Sequence, residues 1–168
     1  MAVSLIPDVL LPSYRHVTPA LLRQAGIRLL LCDLDYTLSP RRVPQPDEAL
    51  RRWIGQLEAS GVQVMILSNN RSSRRVERFC GDLGIPYVGH AQKPLRRGYR
   101  RAMALAGAAP GETAMLGDKL LTDVLGARLS GVTALMVEPA GGAVTLGQKV
   151  LHALQAPFKY ICKRRSRP

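Results

Sequence analysis

The chain has 168 residues, of which 46% are hydrophobic, and this composition excludes a disordered protein and fits one domain with a substantial core. Its 24 Lys and Arg residues face 12 Asp and Glu residues, so the net charge is +12 and the surface should attract polyanions. No apolar run approaches the roughly 20 residues that cross a bilayer, and the start of the chain has no signal-peptide pattern. Three unclustered cysteines indicate a reducing compartment, and we therefore expect a cytoplasmic protein.

Apolar, strand-like runs alternate with helical patterns along the chain. In chain order, the predicted strands are 27–33, 62–68, 85–90, 113–118 and 132–138, and the predicted helices are 18–26, 46–61, 72–83, 94–107 and 120–130. Such alternation is typical of a parallel sheet with helices on both faces. The sequence therefore predicts a three-layer, Rossmann-like α/β fold with a mainly parallel five-stranded sheet and a core at about residues 18–140.

The last stretch, 156–168, differs in composition from the rest and is interpreted as a basic C-terminal tail. It is either a frayed end or a segment that lies on a membrane. In the second case Phe158, Tyr160 and Ile161 would enter the interface, and the basic residues would meet anionic head groups.

Polar residues follow the predicted strands where each strand ends. Asp33 ends the first strand, Ser68 ends the second, Lys93 follows the third and Asp118 ends the fourth, with Asp123 five residues later. Because the carboxyl ends of parallel strands meet at one edge of a sheet, we expect these side chains to lie together.

Several carboxylates in one site need a cation, and oxygen ligands select Mg²⁺, which also takes a substrate phosphate as a ligand. An aspartate such as Asp33 can then act as a nucleophile on phosphorus. A second carboxyl, Asp35, can protonate the leaving oxygen and afterwards activate water. Lys93 and Ser68 would hold the phosphoryl oxygens.

Four motifs in order, "DLDYT", "SNN", "KP" and "GDKLLTD", resemble those of the haloacid dehalogenase-like (HAD) superfamily of phosphatases. The segments "TPALLRQAGIRLLLCDLDYTL", "IPYVGHAQKPL" and "GDKLLTDVLGARLSGVTALMVEP" are similar to the YqeG family, which is related to mitochondrial phosphatidylglycerophosphate phosphatases. This resemblance covers about residues 10–140.

The resemblance implies metal and catalytic roles for four acids. Asp33 is the expected nucleophile and a Mg²⁺ ligand. Asp35 is the expected general acid and base, and binds Mg²⁺ through its backbone carbonyl. Asp118 is an expected metal ligand, and Asp123 is expected behind the ligands or bound through water. Asp35 stands where the superfamily's ATPases carry Thr, which favours the phosphatase branch.

Four further residues are candidates for binding the phosphate or shaping its site. Ser68 is expected to bind phosphate and Lys93 to stabilise the phosphoaspartate. Thr37 is expected to support the loop and border the phosphate, and Asn69 is either a turn residue or a substrate contact.

The sequence departs from the family pattern at two positions. The family usually has Asn where this chain has Tyr36, and Gln where it has Lys119. Tyr36 is bulkier and would reshape the site, and Lys119 adds a cation beside a metal ligand. Neither change removes a catalytic group.

The spacing of the motifs predicts an open site. Only 34 residues separate Asp33 from Ser68, and 24 separate Ser68 from Lys93, so one helix and one strand use nearly all of each interval. We therefore expect one capless domain spanning 1–168. An open site suits a phosphate on a large substrate, and the predicted reaction is Mg²⁺-dependent hydrolysis of phosphatidylglycerophosphate to phosphatidylglycerol.

Other interpretations stay open at this stage. The enzyme would instead hydrolyse soluble nucleotide or sugar phosphates, or the chain would be an RNA- or ribosome-associated binding protein with a secondary phosphatase site. Basic residues recur at helical spacing from just before the predicted helix 72–83, namely Arg71, Arg74, Arg75 and Arg78. They form either a solvated face or a landing surface beside the site. An anionic membrane surface is thus an expected partner, with the protein peripheral to it. The sequence does not fix the oligomeric state.

Overall fold

Six short parallel strands form one sheet in this computed structural model, which describes residues 4–70, 73–141 and 146–165. The strands are β1 (Val9–Leu11), β2 (Leu29–Cys32), β3 (Gln63–Leu67), β4 (Tyr87–Val88), β5 (Thr113–Gly117) and β6 (Thr133–Val137). Their order across the sheet is β1-β6-β5-β2-β3-β4. This confirms the predicted α/β class and parallel sheet.

The sheet has one strand more than predicted. The extra strand, β1, pairs with β6 at the sheet edge, with Val9 opposite Leu135. It holds only three residues between Pro7 and Pro12, too few to show a strand period, and prolines are tolerated there because the strand lies at an edge. Pairing with β6 makes these residues a strand, which their own sequence does not indicate.

Helices cover both faces of the sheet. They are α1 (Pro19–Gln24), α2 (Glu48–Ala59), α3 (Ser73–Leu83), α4 (Arg96–Ala106), α5 (Leu125–Ser130) and α6 (Leu146–Arg165), and a π-helical turn, Leu120–Val124, leads into α5. Thr18 caps α1 by accepting a hydrogen bond from the Leu21 amide at 3.2 Å. Asp47 caps α2 in the same way through the Leu50 amide at 2.8 Å. Both helix starts follow from these capping residues.

Two hydrophobic cores result from the alternation of side chains along the buried strands. On one face Leu30 and Cys32 of β2 pack with side chains of α2 and α3, and Trp53 donates a hydrogen bond to the Val17 carbonyl at 2.9 Å. On the other face Leu29 and Leu31 pack with residues of α4 and α5. A strand apolar at every position is therefore buried on both sides.

Residues 156–165, predicted as part of a basic tail, lie in α6. The helix continues through Pro157. Because proline usually breaks a helix, the sequence did not indicate that these residues are helical. Lys159 is buried and pairs with Glu138 at 2.6 Å, and the Cys162 thiol lies 3.4 Å from the Pro7 carbonyl, before β1. The far end of α6 thus lies towards the amino edge of the sheet. Residues 166–168 are outside the described residues. Among the described helices, none has the length and apolar character needed to span a bilayer.

Candidate active site at the carboxyl edge of the sheet

The centre of the sheet brings the first and last motifs together. β2 and β5 are neighbours, with Cys32 opposite Leu116, so Asp33 and Asp118 leave the same edge side by side. The chain adds β3 and β4 on one side of this pair and β6 and β1 on the other. Such a switch point opens a crevice at the carboxyl ends of the strands, where α/β proteins bind ligands.

A buried lysine joins two of the predicted acids. Lys93 Nζ lies 2.8 Å from Asp33 Oδ1 and 2.8 Å from Asp123 Oδ1. The other oxygen of Asp123 accepts a hydrogen bond from the Lys119 amide at 3.1 Å. Buried charges persist only when they are paired in this way.

The position of Lys93 depends on Asn69 and on a glycine. Asn69 Nδ2 donates to the Lys93 carbonyl at 2.9 Å, and the Lys93 amide donates to Asn69 Oδ1 at 2.7 Å. A Cβ at Gly98 would collide with the Ala91 carbonyl, so this glycine lets α4 approach the loop before Lys93. Asn69, predicted as a turn residue or a substrate contact, thus fixes the backbone that carries the lysine.

A second lysine, one of the two departures from the family pattern, bridges the metal-ligand candidates. Lys119 Nζ lies 2.8 Å from Asp118 Oδ1 and 3.5 Å from Asp33 Oδ2. The Thr37 hydroxyl donates to Asp118 Oδ1 at 3.2 Å. Thr37 is buried, and the hydrogen bond described for its hydroxyl goes to a carboxylate of the site.

Asp35 has a separate set of partners. Asn70 Nδ2 donates to Asp35 Oδ2 at 2.8 Å, and Arg75 Nε donates to Asp35 Oδ1 at 3.0 Å. Arg75 also donates to the Val43 carbonyl at 2.7 Å. Arg75 does not belong to a solvated face, because its side chain is only 16% exposed and connects α3 to the loop after β2. Arg71, from the same prediction, lies outside the described residues.

Burial and the two lysines move the pKa values of the acids in different directions. Burial alone would raise the pKa of Asp33, but Lys93 and Lys119 together hold it below its ordinary value. Burial raises the pKa of Asp118 to about 6, and Lys119 offsets only part of that effect. Burial also raises the pKa of Asp123, with the charge of Lys93 opposing it. Asp33 is therefore the member of the cluster that is most strongly held as a carboxylate.

The donor set fits a hard divalent cation. Carboxylate oxygens of Asp33, Asp118 and Asp123 all lie within 4.8 Å of one another and are buried. Three carboxylates face the ammonium groups of Lys93 and Lys119, so the cluster keeps a net negative charge. Lys119 now bridges two of the ligands, but its side chain is 31% exposed and has room to turn away when a cation binds.

A cleft of about 390 Å³ opens above the cluster and is lined by Asp33, Asp35, Tyr36, Arg41, Ser68, Asn69, Asn70 and Lys119. Ser68 is buried, and its hydroxyl accepts a hydrogen bond from the Asn70 amide at 3.0 Å. All eight predicted site residues therefore lie in the cleft or directly beneath it.

Sequence reasoning missed four residues of this site. Asn70 binds Asp35, Arg41 lines the cleft, and Arg75 reaches it from α3. Tyr99 is buried and donates to the Asp123 backbone carbonyl at 3.1 Å. An arginine or tyrosine on an amphipathic helix carries no sequence signal that distinguishes a site contact from a surface or core position.

Comparisons with known proteins agree with this geometry. The HAD-hydrolase-like family model matches residues 90–151, which include Lys93, Asp118 and Asp123. The chain is 33% identical to "Probable phosphatase YqeG" of Bacillus subtilis over 138 residues, which cover 82% of this chain and 80% of that protein. The chain belongs to the YqeG family of HAD-like phosphatases. Family membership confirms the resemblance inferred from the motifs.

Two further proteins are similar to this YqeG-family chain, one in sequence and one in fold. It is 29% identical over 142 residues to "Phosphatidylglycerophosphate phosphatase 1, chloroplastic" of Chlamydomonas reinhardtii and spans 53% of that protein. The cobalt-bound deoxy-D-mannose-octulosonate 8-phosphate phosphatase of Haemophilus influenzae shares its fold, with a TM-score of 0.56 and 19% identity over 79% of this chain and 90% of the other. The second likeness concerns the fold alone.

Proposed function

We propose that the protein is a Mg²⁺-dependent phosphomonoester hydrolase that works through a phosphoaspartate on Asp33 and acts on phosphatidylglycerophosphate. The observation that carries the chemistry is the position of Asp33, whose two carboxylate oxygens face Lys93 and Lys119 at the floor of an open cleft. The substrate is supported by the relative from Chlamydomonas, which is named for that lipid.

In the first step an oxygen of Asp33 attacks phosphorus, and the bond from phosphorus to the ester oxygen breaks. Asp35 gives a proton to the departing oxygen, which leaves as an alcohol. In the second step water attacks the same phosphorus and loses a proton to Asp35. The bond between phosphorus and Asp33 then breaks, so inorganic phosphate leaves and both carboxyl groups return to their starting states.

The remaining residues hold charge in place during both steps. Lys93 donates to Asp33 and stabilises the negative charge that collects around the phosphoryl group, and Ser68 binds one of its oxygens. Asp33, Asp118 and the Asp35 carbonyl would hold Mg²⁺, with Asp123 behind them or bound through water. When bound, Mg²⁺ would supply positive charge that lowers the repulsion between the anionic nucleophile and the anionic phosphoryl group.

The open cleft favours a substrate that carries its phosphate on something large. Between β2 and α2 the chain forms only a loop, in which Tyr36 donates its amide to the Ser39 carbonyl at 2.8 Å, and α2 then packs on the sheet. We infer that the domain is capless. Such a site accepts a lipid head group that stays anchored in its membrane, whereas an enclosing cap suits small substrates.

The test is phosphate release from phosphatidylglycerophosphate in mixed micelles with Mg²⁺. We expect release that Asp33→Asn abolishes and that the matched exposed-carboxylate variant Glu77→Gln leaves unchanged. Nucleotides and sugar phosphates are assayed in parallel. Turnover of these soluble esters without release from the lipid would refute the lipid substrate and keep the phosphatase chemistry. No Asp33-dependent release from any ester, by protein shown to be folded, would refute the chemistry itself.

A further inference from the structure

We propose that the rim of the active site is a docking surface for the anionic face of a lipid bilayer. This inference rests on the proposed lipid substrate and adds the surface that brings the enzyme to it. The docking rim consists of two exposed leucines and four exposed arginines, namely Leu95, Leu121, Arg41, Arg42, Arg96 and Arg97.

The two leucines lie close along the chain to the two lysines of the site. Leu95 lies two residues after Lys93, and Leu121 lies two residues after Lys119, so each is within about 7 Å of chain from a lysine that contacts Asp33. Leu95 is 58% exposed and Leu121 is 55% exposed. Both are available to enter the head-group region of a bilayer that meets this edge of the sheet.

The start of α4 is built against its own stability. Ser, Thr, Asp and Asn are favoured at the position before the first helical residue, yet Leu95 stands there and makes no side-chain cap. Acidic residues are favoured in the first turn, yet Arg96 and Arg97 occupy it and place positive charge at the positive end of the helix dipole. Helix formation does not explain these residues, whereas an anionic, apolar partner does.

The charge of the rim is not neutralised by its neighbours. None of its four arginines makes an ion pair with a carboxylate in the described part of the chain. The exposed acids at the same edge are Asp47 and Glu48 at the start of α2; Asp47 caps the helix and Glu48 lies 3.9 Å from Arg52. Positive charge is therefore in excess beside the cleft, which is complementary to anionic head groups.

The combination of residues selects among polyanions. A nucleic acid would use the arginines but would leave two exposed leucines in water. A bilayer uses both kinds of side chain, because its head groups meet arginines and its acyl boundary accepts leucines. The same docking geometry turns the cleft towards lipid phosphates.

The direct test is flotation of the full chain with phosphatidylcholine vesicles that contain phosphatidylglycerol, against vesicles of phosphatidylcholine alone. We expect binding to the anionic vesicles, weakened at least about ten-fold by Leu95→Ser with Leu121→Ser and by Arg96→Gln with Arg97→Gln. Matched controls lie away from the rim. Leu105→Ser changes a leucine that is 64% exposed near the other end of α4, and Arg23→Gln with Arg28→Gln removes two charges at the amino edge; both should bind as the parent does.

A stability measurement separates docking from folding. Because serine caps a helix better than leucine, Leu95→Ser should raise the melting temperature by about 2–4 °C while it weakens vesicle binding. Opposite effects of one substitution on the two properties support the proposal. A melting temperature lowered by Leu95→Ser would mean that Leu95 serves the fold, and would overturn its assignment to docking.

Other results would overturn the proposal outright. These are no binding to anionic vesicles, equal loss in the rim and control variants, binding to RNA in place of vesicles, or self-association that depends on Leu95 without vesicle binding. Flotation involves no turnover, so the two proposals fail separately. Micellar hydrolysis without vesicle binding would refute docking alone, and Leu95-dependent binding without lipid hydrolysis would refute the substrate alone.

Discussion

Asp33 and Asp35 stand two residues apart in one motif, yet their surroundings differ in almost every physical respect. Asp33 is buried, and two lysines from the loops after β4 and β5 hold its oxygens. Asp35 is half-buried at the cleft wall, and its partners are Asn70 and the guanidinium of Arg75. The inner carboxylate is held by the fully buried Lys93, whose side chain is 2% exposed, whereas the outer one is paired with Arg75, whose side chain is 16% exposed.

This difference suits the two steps of the proposed reaction. A nucleophile must stay ionised and fixed in space, which the buried Lys93 provides for Asp33. A group that gives and later takes a proton must exchange partners, and Asp35 meets both the cleft and water. The two aspartates thus take different roles, because a residue of α3 pairs with Asp35 whereas lysines at the sheet edge pair with Asp33.

The largest expected effect distinguishes the two aspartates by whether the phosphoenzyme intermediate still forms when each is replaced. Asp33→Asn should form no phosphoenzyme, because the attacking oxygen is lost. Asp35→Asn should lower kcat by about 10²–10⁴-fold, because both proton transfers lose their donor or acceptor, but should still form phosphoenzyme, because the Asp33 nucleophile is intact. Acid quenching with ³²P-labelled substrate measures the amount of phosphoenzyme in both variants. Labelling of Asp33→Asn protein, or loss of labelling in both variants, would contradict the division of roles.

The next effect is on stability and compares the two cations. Lys93→Met should lower the free energy of unfolding by about 3–5 kcal/mol in metal-free buffer, because the buried Asp33 and Asp123 both lose the buried cation that they share. Arg75→Gln should lower it by about 1 kcal/mol or less, since Asp35 keeps Asn70 and some contact with water. Urea denaturation measures both. Equal losses would show that the two environments differ less than their burial indicates.

The raised pKa of Asp118 predicts that replacing this residue increases the stability of the metal-free protein, by an amount that depends on pH. Because that pKa is about 6, above the ordinary 3.8, Asp118 keeps a proton in the metal-free folded protein that it loses in the unfolded chain between pH 4 and 6, so the contribution of this group to stability falls as pH rises through this window. Asp118→Asn should therefore be more stable than the parent by on the order of 2 kcal/mol at pH 7 and show little gain at pH 4. Thermal unfolding in EDTA at both pH values tests this, with Glu77→Gln expected to show no such trend.

Lys119 is expected to compete with the metal. Its ammonium bridges Asp118 and Asp33, so a cation that binds both must displace it. Lys119→Gln should tighten Mg²⁺ binding by about ten-fold, measured by calorimetry or by Mn²⁺ binding in electron paramagnetic resonance. Lys149→Gln, which removes an exposed charge from α6, should change the affinity little. An unchanged or weaker affinity of the Lys119 variant would contradict the competition.

The smallest effect concerns the turn that follows Asp35. Tyr36 has a φ of 68°, and its carbonyl accepts a hydrogen bond from the Ala140 amide at 2.6 Å. This left-handed conformation costs most side chains energy and is tolerated well by Asn, the usual family residue. Tyr36→Asn should stabilise the protein by about 1 kcal/mol in urea denaturation. A destabilised variant would mean that the tyrosine ring, which lies 5.8 Å from Lys119 Nζ, contributes more than its backbone costs.

Local patterns predicted most of the fold and the main site residues. Continuous apolar runs predicted β2, β3, β5 and β6, because strands buried on both faces must be apolar at every position. The acids and lysine were found because they follow strand ends, where parallel topology brings them together. β1 escaped notice because pairing with β6 defines it, and α6 because Pro157 interrupts its pattern.

The sequence by itself determined the α/β class, the edge of the sheet at which the chemistry lies, and the set of acids that can hold a metal. Those features depend on residue order and strand direction, which local periodicity records. Only the tertiary structure decided which cation pairs with which acid: Lys93 with Asp33 and Asp123, Lys119 with Asp118, and Arg75 with Asp35. Pairing across such intervals depends on how loops and helices pack in three dimensions, and the charge of an isolated residue carries no record of that packing.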